Sequence, residues 1–123
     1  MGRRYIMFKV TLETIVNSIP AMRKIASQTM SGRTAIQVAR LLREIERESV
    51  SFEEMRKGLF AKYGKQEGDQ ITIPNDQLAN YNAEIKAALD EVVEINAEPL
   101  TTNLLESVEL TPLEANTLLN FTE

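Results

Sequence analysis

Two hydrophobic rhythms divide the chain, a short alternating one and a longer one that steps by threes and fours. Tyr5-Ile6-Met7-Phe8-Lys9-Val10 is brief, β-branched and aromatic, which predicts a strand. Thr11 then stands where a cap is needed for a helix whose apolar positions are Leu12, Ile15, Val16, Ile19, Met22, Ile25 and Ala26. Those spacings mark one buried face. Pro20 lies inside the pattern and has no N–H for the carbonyl of Val16, so a kink or a short break into two helices is predicted there.

Ser31-Gly32 interrupts the pattern, and the longest element follows. From Arg33 to about Tyr63 there is no proline, and Val38, Leu41, Ile45, Phe52, Met55 and Leu59 recur at helical spacing. Leu42, Phe60 and Tyr63 flank them, and the register lapses once, at Glu48-Ser49. About thirty residues at 1.5 Å each make a rod of roughly 45 Å. Gly64 reads as a left-handed stop. A rod of that length needs something packed along it. The first helix as an antiparallel partner and the same helix of another chain are the two candidates, and both together predict a homo-oligomer seamed by the long helix.

The remainder alternates short β-type runs with helices. Lys65 to Asp69 reads as a polar turn, and Gln70-Ile71-Thr72-Ile73 as a short strand ended by Pro74. Asn75 or Asp76 is placed to cap a third helix that turns Leu78, Tyr81, Ile85, Ala88 and Leu89 inward. Val92-Val93-Glu94-Ile95 predicts a further strand, closed by Pro99, and Val108-Glu109-Leu110 is a candidate for another. Thr111-Pro112-Leu113-Glu114 then supplies an N-cap, a proline at the first helical position and a glutamate at the third, which together form a capping box. The last helix is expected to bury Leu113, Leu118, Leu119 and Phe121.

The fold expected from this pattern is α+β and mostly helical: a long helical hairpin, a small β-sheet of short strands and two further helices. Its 123 residues suit one domain, 1–123.

The composition removes much chemistry. There is no Cys, His or Trp, so no disulfide, no thiolate or imidazole metal site, and no nucleophile paired with histidine can be built. No apolar stretch approaches the roughly 18 residues of a membrane span, and no leader pattern opens the chain, so a cytoplasmic protein with no membrane partner is expected. Glu84-Ile85-Lys86 downstream of Asp76 superficially matches a metal-dependent nuclease, but residues two apart on a helix point away from each other. No phosphate-cradling glycine loop is present. No catalytic residue, metal ligand or cofactor is assigned.

Charge is distributed unevenly. The basic half, 1–66, has thirteen Lys or Arg against six Glu, and the acidic half, 67–123, has Lys86 alone against twelve Asp or Glu. The halves can neutralise each other within a chain or head to tail between chains. Within the basic half, Arg33, Arg40 and Arg47 are seven apart and share a stripe of the long helix, with Arg43 beside them and Arg23 and Lys24 at the end of the preceding helix. Arginine forks bind phosphate or carboxylate bidentately. The stripe is therefore either a solvated outer face laced to Glu44, Glu46, Glu48, Glu53 and Glu54, or an anion-binding surface. Duplex nucleic acid is disfavoured as the anion by the net charge of −4. Phe52, Phe60 and Tyr63 read as packing residues, which leaves Tyr81 as the aromatic free to stack a base.

The order of blocks resembles a group of small tailed-phage and prophage proteins of unassigned function. The resemblance is carried by Lys9-Val10-Thr11-Leu12, then Phe52-Glu53-Glu54 through Leu59-Phe60-Ala61-Lys62-Tyr63-Gly64, then Ile73-Pro74-Asn75-Asp76. Glu91-Val92-Val93-Glu94-Ile95 and Leu104 to Val108-Glu109-Leu110-Thr111-Pro112 complete it, so that it spans most of the chain without a catalytic motif. It implies a phage context, in which small non-enzymatic proteins bind, block or assemble. Two functions are expected on this basis. The chain either sequesters or inhibits a host defence component, such as a host protein or a phosphate-bearing nucleotide signal held by the arginines, or serves in virion assembly through head-to-tail contacts.

Overall fold

The computed structural model describes residues 4–123. Strand β1 (Ile6–Thr11) runs directly into helix α1 (Leu12–Ala26), and after a short loop α2 (Gly32–Tyr63) returns along it. The chain then makes β2 (Lys65–Glu67), β3 (Gln70–Thr72), α3 (Asn75–Leu89), β4 (Val92–Ala97), α4 (Thr102–Glu106), α5 (Pro112–Leu118) and a 3-10 turn, Leu119–Phe121. The architecture is α+β and mostly helical, built on the α1–α2 hairpin.

Thr11 Oγ1 accepts the Thr14 N–H and caps α1. The helix continues through Pro20 without a break, so of the two expected alternatives, a kink or a division into two helices, the division does not occur. Pro20 is exposed and leaves the carbonyl of half-buried Val16 without its helical donor. Ser31 caps α2 in the same way as Thr11 caps α1.

The core gathers Leu12, Ile15, Met22 and Ile25 of α1, Val38, Leu41, Ile45 and Phe52 of α2, and Phe8, Val10, Ile95 and Ala97 of the strands. Alternate residues of β1 and β4 point into it because the two strands pair antiparallel, with Phe8 opposite Ile95 and Val10 opposite Val93. The ladder is extended by the Leu12 N–H, which donates to the Glu91 carbonyl at 2.8 Å. Leu118 and Phe121 close the core from the C-terminal side, and the Phe121 ring meets Phe8 edge-on at 5.9 Å.

Several expectations are corrected by the fold. The short strands do not form one sheet: β1 pairs with β4, and β3 pairs with β2 in a separate hairpin made from the predicted polar turn. The left-handed residue is Gly68 (φ 64°), the first of two residues in that hairpin loop, as a type II′ turn requires. Gly64 is extended (φ −75°, ψ 152°), and its lack of a side chain serves close packing instead. A Cβ there would lie 2.6 Å from Ile71 Cγ2 and would collide with the Phe60 carbonyl oxygen.

Pro74 occupies the N-cap of α3, with Asn75 and Asp76 inside the first turn and no side-chain cap bond. Leu78, one of its expected inward residues, is exposed, as is Ala26 on α1. Val108–Leu110 pairs with no strand among the described residues and is the loop between the unpredicted α4 and α5. The Thr111–Glu114 capping box forms as read, but Leu113 and Leu119 point outward.

The long helix is covered within the chain, by α1 along its first half and by α3 along its second. Phe60 meets Tyr81 of α3 edge-on at 6.3 Å, and Phe52 is buried. Of the apolar stripe, Val38, Leu41, Ile45 and Phe52 are buried within one copy, and Met55 and Leu59 are half-buried.

Candidate anion-binding site

The arginine stripe of α2 lies on the side away from the core, and Arg33, Arg40, Arg43 and Arg47 are all exposed. Seven residues are nearly two helical turns, so the stripe drifts by only about 20° per step. The surroundings of these residues differ. Arg47 Nη2 donates to Glu44 Oε1 one turn back at 2.9 Å. Lys24 is bound to Glu114 of α5 at 2.7 Å. Arg23 stands in the last turn of α1, where a cation complements the helix dipole, and Arg33 in the first turn of α2, where it does not. Neither has an ion-pair partner among the described residues.

Arg40 and Arg43 are the two that the fold brings into one cleft. Its volume is about 220 Å³, and Tyr5, Glu44, Asn96 and Ala97 complete the lining. Each residue arrives there for a structural reason. Arg40 and Arg43 are one turn apart on α2. Tyr5 precedes β1, and Asn96 is on β4 opposite Met7, so both are fixed by the β1–β4 ladder. The chain leaving β4 is tied to α2 by Gln37 Nε2, which donates to the Pro99 carbonyl at 2.6 Å, one turn before Arg40. That bond holds the strand end against the helix and defines the cleft.

One guanidinium N–H of Arg40 donates to Tyr5 Oη at 3.1 Å, which positions the fork, and Arg40 has no ion-pair partner among the described residues. Arg43 has no ion-pair partner among the described residues. The Asn96 amide adds a neutral donor and acceptor on the strand side. Glu44 opposes an anion in the same cleft, and its pairing with Arg47 moderates that opposition. The cleft therefore presents two cationic forks, a phenol and an amide to one small volume, a donor set suited to a phosphate or carboxylate group.

Of the six basic residues read from the sequence, Arg40 and Arg43 share this site, and Arg33, Arg47, Arg23 and Lys24 lie outside it. Tyr5 and Asn96 were not legible in advance. Tyr5 reads only as the start of a strand, Asn96 falls outside the predicted strand Val92–Ile95, and nothing local links them to α2.

The groups whose acidity the fold alters lie elsewhere. The Lys24 ammonium, with help from the Thr111 N–H, holds the Glu114 carboxyl below the ordinary carboxylate range. Glu53 raises Arg56 by hydrogen bond and charge, and hydrogen bonding to Tyr63 followed by the charge of Glu84 raises Lys62. Tyr81, the candidate for base stacking, is half-buried against Phe60 at the far end of α2. Glu84 and Lys86 both stand on α3 and Asp76 in its first turn, and among the described residues no three acidic side chains gather where a metal ion could sit.

No helix of the described residues is long and apolar enough to cross a membrane. Comparison with family models, curated proteins and solved structures found no match to this chain.

Proposed function

We propose that this protein is a non-enzymatic binding protein that captures a phosphate-bearing small molecule, with Arg40 and Arg43 holding the phosphate. The observation that carries the reading is the pairing of two exposed arginines, one oriented by Tyr5 and one without an ion pair among the described residues, in a single cleft with Asn96. The cleft volume of about 220 Å³ suits one anionic group rather than a whole nucleotide. The rest of a ligand would lie over the exposed face of α2, toward Arg33 or Arg47. Together with the resemblance to tailed-phage proteins, this favours sequestration of a nucleotide signal of host defence in the host cytoplasm.

The test is binding of a nucleotide panel by the intact chain and by Arg40→Ala and Arg43→Ala. Both residues are exposed, so the fold should survive and the captured ligand should be lost. Unchanged affinity in both variants would remove the site.

A second reading has copies of the chain assemble head to tail. Lys9–Glu94, Lys24–Glu114 and Lys62–Glu84 already join the two halves within one copy. That leaves Arg23, Arg33 and Arg43 and the carboxylates of Glu106 and Glu109, without ion pairs among the described residues, for contacts between copies. Opposite charges on the two halves steer such an encounter without requiring a shared symmetric patch.

A further inference from the structure

At the loop end of the α1–α2 hairpin lies a cleft of about 340 Å³ with an aliphatic floor that includes Ala26, Ala35, Ala39 and Leu42. Ala26, Ala35 and Ala39 are exposed, and their small side chains leave the recess open. Arg43 and Glu46 stand on its rim, and Arg23 is one turn before Ala26 on the same side of α1. The recess thus lies in the basic half of the chain.

The acidic half holds a counterpart. Leu113 is 81% exposed, the most exposed large hydrophobic among the described residues. It is held rigidly, because Glu114 beside it is bound to both Lys24 and Thr111. Glu106 and Glu109 precede it, and neither has an ion-pair partner among the described residues. A lone exposed leucine needs no explanation. A rigid one beside Glu106 and Glu109, on a chain with an aliphatic recess flanked by Arg23 and Arg43 and by the single acid Glu46, is a complementary pair.

The two features cannot meet within one copy. Leu113 lines a shallow cleft with Asn17 and Pro20 of α1, whereas the recess begins at Ala26. Six residues at about 100° each place Ala26 roughly 240° around the helix from Pro20. Knob and recess are therefore on different sides of α1, and α5 cannot cross while Lys24 holds it.

We infer that Leu113 of one copy seats in the Ala35–Ala39 recess of a second copy, with Glu106 and Glu109 facing Arg23 and Arg43 of that copy. The contact uses two different patches, so it is heterologous and leaves a free knob at one end and a free recess at the other. It rests on the assembly reading and shares Arg43 with the proposed anion cleft, so its test uses Leu113 and Ala39, which lie outside that cleft.

Sedimentation of the full chain over a dilution series, at low and high salt, tests it. Wild-type protein should form a concentration-dependent series larger than a dimer, weakened by salt. Leu113→Glu and Ala39→Glu should each weaken association by at least roughly thirtyfold, the scale of a hot-spot loss. Leu113→Ser should do so without adding charge. An equimolar mixture of Leu113→Glu and Ala39→Glu should form a 1:1 dimer and stop there, because one intact knob then faces one intact recess. A mixture that stays monomeric, or a wild-type oligomer that neither substitution moves, would overturn this contact and leave assembly by another surface. A wild-type chain that is monomeric throughout would overturn the contact and the assembly reading together.

Discussion

Lys24 on α1 and Glu114 on α5, 90 positions apart in the chain, meet at 2.7 Å, and the same Glu114 Oε1 accepts the Thr111 N–H at 2.9 Å. One carboxylate thus closes the capping box of the last helix and fastens that helix to the first. The cation and the backbone N–H both favour the ionised form, and so the Glu114 carboxyl lies below its ordinary value.

A lowered carboxyl pKa adds stability that is fully present above the unfolded value and lost as pH falls through the folded one. Acid should therefore loosen α5, beginning below about pH 4.5, the ordinary value of the group. Denaturant midpoints measured from neutral to acid pH should show this loss in the wild type and a smaller slope in Glu114→Gln. Equal slopes would show that the contact contributes nothing.

Thr111→Ala removes the other half of the capping box and should cost about 1 kcal/mol in denaturant unfolding at neutral pH. The loss should persist in acid, where Glu114 no longer contributes.

Two glycines of α2 and its exit should respond in opposite directions. At Gly58 a Cβ meets nothing within 4 Å, so Gly58→Ala should stabilise by about 1 kcal/mol through helix propensity. At Gly64 a Cβ would press on Ile71 and on the Phe60 carbonyl, so Gly64→Ala should destabilise by about 1–3 kcal/mol. Thermal unfolding of the two variants checks both signs.

Phe121 is fully buried against Phe8, and its carbonyl accepts the Leu100 N–H at 2.8 Å. Phe121→Ala should cost about 3–5 kcal/mol. Leu113→Ala, at an exposed position, should be nearly neutral. A similar cost for both would mean that the last helix packs by a different face.

Elements whose cause is local were legible in the sequence. Thr11, Ser31 and Thr111 announce helix starts because a cap is a matter of three or four residues, and the spacing of Val38, Leu41 and Ile45 gives the buried face of α2 directly. What failed depends on distant partners. Gly64 was read from its position after a helix, whereas its role is set by Ile71 across the hairpin. Leu113 and Leu118 look alike in the pattern, and only the docking of α5 on α1 decides which is covered. The candidate site divided in the same way. Arg40 and Arg43 were visible as one helix face, but Tyr5 and Asn96 reach them through the β1–β4 register and the Gln37–Pro99 bond.

The most direct test of ligand capture is native mass spectrometry of the protein as purified from its expression host, then mixed with a panel of nucleotides and cyclic dinucleotides. The account predicts a stoichiometric phosphate-bearing adduct on the wild-type chain that is absent from Arg40→Ala and Arg43→Ala. A wild-type chain that stays bare against the whole panel would contradict it, and the arginine stripe would then be a solvated face of α2.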